Sequence, residues 1–193
     1  LEFSRVLFRS VYFVSATAFN LLGIDRWVRN FTFLNWYASF DGTHPNVVVP
    51  AERSDVEFTS IEDIVNHLLG HKEIADLVAR RGGGGKACFL MFDEETEENL
   101  AALGLELAFP SAALRTRLDS KIVTTQLGNE AGVPSVPNAL GEASSYAELR
   151  AIASGHGLGD DLVVQTPYGD SGQTTFFIAS SDDWDEQIGR AHV

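Results

Sequence analysis

The residues best suited to chemistry stand in the second half of the chain. A loop reading Pro167-Tyr168-Gly169-Asp170-Ser171-Gly172-Gln173 lies between two β-prone runs, Leu162 to Thr166 and Thr174 to Ala179, a pattern that predicts an antiparallel hairpin. Consecutive backbone N–H groups in a glycine-bearing turn converge on anions such as phosphate, because no Cβ stands in the way. Ser171, Thr174 and Thr175 add hydroxyl donors, and Lys121 offers a positive charge on the first turn of a helix. Taken singly, each is read structurally, since glycine-serine turns are common and mostly structural and exposed lysines are ordinary.

Four other features invite a chemical reading and fail its requirements. Gly82-Gly83-Gly84-Gly85-Lys86 suggests a phosphate loop, but Arg80 stands where the first glycine belongs and Ala87 where Ser or Thr belongs, so a flexible turn between helix and strand is expected. His67 and His71 have a zinc-capable spacing, yet the zincin glutamate and a third ligand are missing, and a solvated or half-buried pair is the expectation. Cys88 sits in an apolar run and reads as a small core residue. Asp93 to Glu98 carries five acids in six residues without the spaced oxygens and glycine turn of a calcium loop, which leaves a solvated helix face.

Elements that position these residues follow from periodicity and punctuation. Ala87 to Phe92 is a continuous apolar run, as expected for a strand buried on both faces of a parallel sheet. A helix with acids in its first turn follows and stops at Gly104. Leu105 to Phe109 is a second short strand, and Ser111 caps a helix through Leu118. Strand, helix, strand, helix makes a crossover unit, hence an α/β fold. Upstream, Ile61, Ile64, Val65 and Leu68 form a helical stripe capped by Ser60; Ile74, Leu77 and Val78 continue it across a break after Gly70. Val11 to Pro50 is aromatic-rich and receives no element assignment. Downstream, Asp119 is the expected cap of a helix carrying Val123, Leu127 and Ala131, and Ser145 with Glu148 a capping box. The change of pattern marks a domain boundary near Asp119.

The chain has 193 residues, 45% of them hydrophobic, 10% aromatic and 21% charged, which supports a packed core in one or two domains. A formal charge of -13 disfavours non-specific nucleic-acid binding, although a local basic pocket for a nucleotide is compatible with it. One cysteine rules out an internal disulfide and makes a reducing, cytoplasmic compartment the expectation. The richest apolar stretch, Val11 to Phe40, is cut by Asp25, Arg26 and Arg29, so no bilayer span is expected. Residues 1–10 and 188–193 resemble translated sequencing-adapter DNA and are set outside the fold. With no opening methionine, the chain reads as a piece of a longer open reading frame continuing past Glu186.

Three motifs in order carry a family resemblance: LMFDEETEENLAALGLELAFPSAALRTRLDSK, then LGNEAGVPSVPN, then VVQTPYGDSGQTTFFI. Together they resemble the ATP-grasp superfamily, within it the biotin-carboxylase-like and carboxylate–amine ligase-like members. The resemblance implies a Rossmann-like pre-ATP-grasp α/β domain over 11–118 and the first, α+β part of an ATP-grasp domain over 119–187. It implies ATP and Mg²⁺ as cofactors and a small carboxylate or bicarbonate as substrate, activated as an acyl phosphate for attack by a nucleophile. Lys121 would hold phosphate charge, and Gly169, Asp170, Ser171, Gly172, Gln173 and Thr174 would form the lid over the β- and γ-phosphates. Gln165 stands where a second lysine is usual; glutamine hydrogen-bonds but adds no charge. Magnesium ligands are expected beyond the lid, so this portion alone is expected to show no turnover.

Two other readings compete. One is a non-catalytic α/β interaction or regulatory domain, with Gln165 marking lost nucleotide affinity. The other, a dinucleotide-binding domain, lacks a G-x-G-x-x-G after any strand that can be placed.

Overall fold

A computed structural model describes residues 9–18, 21–37, 44–52, 55–169 and 174–189. The chain divides into two compact units, Leu1–Arg115 and Thr116–Val193.

The first unit is α/β. Its strands are β1 (Val11–Ser15), β2 (Phe31–Asn35), β3 (Val47–Val48), β4 (Lys86–Cys88) and β5 (Glu106–Leu107), joined in the order β3-β2-β1-β4-β5. Every pairing is parallel, with Val11 opposite Phe31 on one side and Lys86 on the other. This is the order of the first five strands of a doubly wound sheet. The helices are α1 (Ile61–Gly70), α2 (Lys72–Arg80), α3 (Glu94–Ala102) and α4 (Ala112–Asp119), the last crossing the unit boundary.

Side-chain alternation along β1 and β2 assigns the two faces. Tyr12, Val14 and Leu34 point to the side where Ile64, Val65, Leu68, Ile74, Val78 and Leu100 of α1, α2 and α3 bury their stripes. Phe13, Phe31 and Phe33 point to the other, beneath Leu21, Leu22 and Ile24; Phe31 and Phe33 meet edge to face with ring centroids 5.0 Å apart. Burying side chains of this size contributes about 1.5–3 kcal/mol each, the main driving force for the sheet.

Caps explain where helices begin. Ser60 and Asp63 form a reciprocal box at α1, and Asp93 and Thr96 form another at α3. The acids of 93–98 are therefore divided: Asp93 is a capping group bonded to Asn66 of α1 at 3.0 Å, while Glu94, Glu95 and Glu98 face solvent. Two expectations shorten. The strand expected over Ala87 to Phe92 ends at Cys88, and that over Leu105 to Phe109 reduces to Glu106–Leu107. Beyond Cys88 the chain leaves the ladder as a loop that buries Phe89 and Phe92 in the core and leaves Leu90 exposed, with Phe92 stacked on the exposed Phe109 at 6.0 Å.

The second unit holds α5 (Lys121–Glu130), α6 (Tyr146–Gly155), the antiparallel strands β6 (Leu162–Gln165) and β7 (Thr175–Ile178), and α7 (Ser181–Gln187). Asp119 does not cap α5. The preceding helix runs through it, and Ser120 accepts the Val123 N–H instead. At α6, Ser145 accepts from Glu148 N–H as expected, but the Glu148 carboxylate turns to the N–H of Ser144. Among the described residues no helix is long and apolar enough to cross a membrane.

Candidate functional site

The candidate site is built where α5 begins and the β6–β7 hairpin turns. Lys121 is the first helical residue after its cap Ser120, so its N–H has no partner within the helix. That N–H donates to the carbonyl of Pro167 at 2.8 Å. The side chain of the same residue reaches further along the loop: Lys121 Nζ donates to the carbonyl of Gly169 at 2.8 Å. One lysine thus holds the loop at two points 48 and 46 residues away.

The loop flanks are tied internally as well. Thr166 N–H donates to Thr174 O at 3.2 Å, continuing the ladder beyond β6. The hydroxyls of Thr166 and Thr174 both donate to Tyr168 O, at 2.7 and 3.0 Å. Gly169 has φ 137°, and a Cβ there would lie 2.2 Å from Thr174 Oγ1. Only glycine fits, for both backbone and steric reasons.

Of the eight residues predicted to form the site, Lys121, Gly169 and Thr174 meet at this turn. Gln165 stands one step back, where its amide donates to Thr175 Oγ1 at 3.1 Å across a strand pair. Asp170, Ser171, Gly172 and Gln173 lie outside the described residues. Thr166 and the carbonyls of Pro167 and Tyr168 belong to the turn but carry no sequence signal beyond ordinary turn composition. The one available hint was threonine on both flanks of the loop.

The donor set suits a phosphate in part. An ammonium on a neutral carbonyl keeps two more N–H donors, and charge-assisted bonds to phosphate are the stronger kind. Magnesium finds less. Among the described residues no three His, Cys, Asp or Glu side chains gather to hold a metal. Asp183 is committed elsewhere: the Ala179 N–H, then the hydroxyl and N–H of Ser180, hold its carboxyl below the usual range in the capping box of α7.

The remaining candidates have structural surroundings. Gly82 to Gly85 all have positive φ and turn the chain from α2 into β4. Cys88 Sγ donates to Tyr12 O at 3.4 Å, and burial pushes its thiol up to about 11. The ring of His67 packs edge-on against Trp36 at 4.8 Å. A cavity of about 480 Å³ opens at the amino ends of the central strands, lined by Ser10, Asp25, Asn30, Thr32, Asn46 and Arg81. Ligands of open α/β sheets gather at the opposite, carboxyl ends. The polar lining is also engaged: Arg81 donates to Thr32 Oγ1, and Asn46 to Asp25 at 2.7 Å.

Compared with models of known protein families the chain matches none, and no curated protein matches it.

Proposed function

We propose that this chain is the phosphate-holding front portion of an ATP-grasp-type ligase. The observation that carries the reading is the pair of bonds from Lys121 to Pro167 and Gly169. They set a cation against a glycine-bearing hairpin turn, the combination that a triphosphate needs. Support also comes from the parallel α/β unit that precedes it, with its five strands in doubly wound order.

In this reading the Lys121 ammonium leaves the Gly169 carbonyl for a phosphate oxygen, and the turn around Gly169 adjusts over it. Ser120 keeps the lysine in place by fixing the start of α5. When bound, ATP supplies the phosphoryl group with which such ligases activate a carboxylate. Residues of the chain contribute binding, orientation and neutralisation of charge. The proposed setting is cytoplasmic, where a reducing environment suits a lone buried thiol.

A second reading is a non-catalytic α/β domain with lost nucleotide affinity. The observation favouring it is the neutral Gln165, whose amide is spent on Thr175.

Calorimetric titration with ATP and magnesium separates the two. The ligase reading expects saturable binding in the micromolar to millimolar range, weakened at least tenfold (about 1.4 kcal/mol) by Lys121→Met and largely kept by Lys121→Arg. Absence of binding at 10 mM nucleotide (on the order of the weakest affinity worth measuring), or equal binding by Lys121→Met, overturns it.

A further inference from the structure

His71 occupies an unusual post in the first unit. It is at once the last cap of α1 and the N-cap of α2, and its ring does the capping: Nδ1 accepts the Glu73 N–H at 3.2 Å. The other ring nitrogen, Nε2, stands 3.1 Å from the carbonyl of Glu52. A carbonyl only accepts, so Nε2 carries the proton and Nδ1 presents a lone pair. Both bonds are satisfied together by one species, the neutral Nε2–H tautomer.

The ring stands among other titratable and aromatic groups. His67, one helical turn earlier on α1, has its ring centroid 6.1 Å from that of His71. Its Nε2 is buried without a partner, and burial, then the neighbouring His71, holds its pKa below the ordinary value. Trp36 at the end of β2 packs edge-on to both rings, at 4.8 and 6.4 Å, and Phe58 closes on His67 at 5.4 Å. From α2 the corner meets Lys72 and Glu73, and from the segment after β3 it meets Glu52. Lys72 is paired with Asp76 at 2.6 Å. The Glu73 carboxylate accepts from the N–H groups of Ala51 and Glu52 at 3.1 and 2.8 Å. Asp63, a turn before His67, is bonded to Thr59 and Ser60.

We propose that the α1–α2 corner is a proton-operated latch, closed while His71 is neutral and opened on its α2 side when His71 takes up a proton. The proton has one place to go, Nδ1. It turns the acceptor facing the Glu73 N–H into a second donor, and the cap of α2 is lost. The new cation lies beside the Glu73 carboxylate and draws it from Ala51 and Glu52. The Nε2–H bond to Glu52 survives protonation, so the ring stays with the segment after β3 while α2 yields. Trp36, 4% exposed in the closed corner, then gains access to water. The bond set exists only with a neutral ring, so uptake of a proton at Nδ1 removes the cap of α2 while leaving the bond to Glu52.

The test reads Trp36 alone, in the full chain carrying Trp27→Phe and Trp184→Phe. Between pH 7.5 and 5.0 its emission is expected to move to the red and change about twofold in intensity, with helical circular dichroism constant. His71→Asn, which caps a helix without titrating, is expected to flatten the change. A flat profile before that substitution, an unaltered profile after it, or collapse of the helical signal in the same range overturns the latch. Nitrogen NMR of the unsubstituted protein supplies a second reading independent of folding in the variants. It expects the neutral Nε2–H tautomer at His71 at pH 7.5, and an Nδ1–H tautomer or a charged ring at that pH also overturns it.

Discussion

Lys121 Nζ donates to the carbonyl oxygen of Gly169 at 2.8 Å, a bond across the second unit between the first turn of a helix and the apex side of a hairpin. Neither partner is free to vary. Ser120 caps α5 and so fixes where Lys121 emerges, while the backbone of Gly169 has φ 137° with Thr174 packed where a Cβ would be. The contact is exposed, and a bond between a solvated ammonium and a neutral carbonyl contributes little net stability. Its importance is positional. The bond holds the lysine against the turn on a neutral acceptor.

Gly169→Ala tests how firmly the turn is set. The substitution places a Cβ 2.2 Å from Thr174 Oγ1 and forces an L residue to positive φ, costs of about 1–3 kcal/mol together. Expected are a lowered unfolding midpoint and loss of amide-exchange protection at Thr166, whose N–H donates to Thr174. Protection at Ile64 and Leu68 in the first unit is expected to stay unchanged.

Local signals revealed some of this architecture and tertiary packing the rest. Ser60, Ser145 and the hydrophobic stripe of α1 announce helices whose starts depend on a few neighbouring residues, and the hairpin's two runs pair as their punctuation implies. The two central strands were illegible. Val11–Ser15 and Phe31–Asn35 are buried on both faces, so they show no alternation, and their aromatics resemble any apolar segment. The reverse error befell Phe89 to Phe92, a loop in which Phe89 and Phe92 are buried in the core while Leu90 is exposed. Adjacent cap-forming residues, Asp119 and Ser120, misplaced the start of α5 by one residue. At the candidate site the lysine and the glycine were readable by type, but their bond is a product of folding and has no signature in the sequence.

Cys88 should be almost inert. Its sulfhydryl is held by Tyr12 O, and burial moves the thiol up to about 11, so only about 0.1% is thiolate at pH 8, against roughly a quarter for an ordinary cysteine. Alkylation by iodoacetamide at pH 8 is expected to run more than tenfold slower than for glutathione and to recover in 6 M guanidinium (on the order of full unfolding conditions). Rapid labelling of the folded chain would place Cys88 elsewhere.

Acid sensitivity below the histidine range should come from capping carboxylates. The Thr59 hydroxyl and N–H, then Ser60, hold the Asp63 carboxyl below its usual value. At Asp93 burial alone would raise it, but bonds from Asn66 and Thr96 prevail and the carboxyl is lowered. Groups lowered in the folded state bind fewer protons there than when unfolded. Their stabilisation is therefore present above about pH 4 and lost as pH falls through the lowered values. Urea midpoints at pH 7, 5 and 3 are expected to drop mainly in the last step, and Asp63→Asn with Asp93→Asn to lower the first two and shallow that drop.

The glycine run before β4 separates turn from ligand loop most directly, because its four members differ in what surrounds them. A Cβ on Gly85 would lie 2.6 Å from Ser10 O, the atom that accepts the Lys86 N–H and starts the β1–β4 ladder. Backbone cannot step aside as a side chain can, so Gly85→Ala is expected to cost about 2–4 kcal/mol from positive φ and broken pairing together. Gly82 and Gly83 face open space at φ 93° and 68°, and alanine there carries the conformational penalty alone, about 1 kcal/mol. Denaturation midpoints should therefore fall steeply for Gly85→Ala and gently for the other two, with nucleotide affinity unchanged in all three. Equal stability across the series together with weakened ATP binding would show instead that the run contacts phosphate.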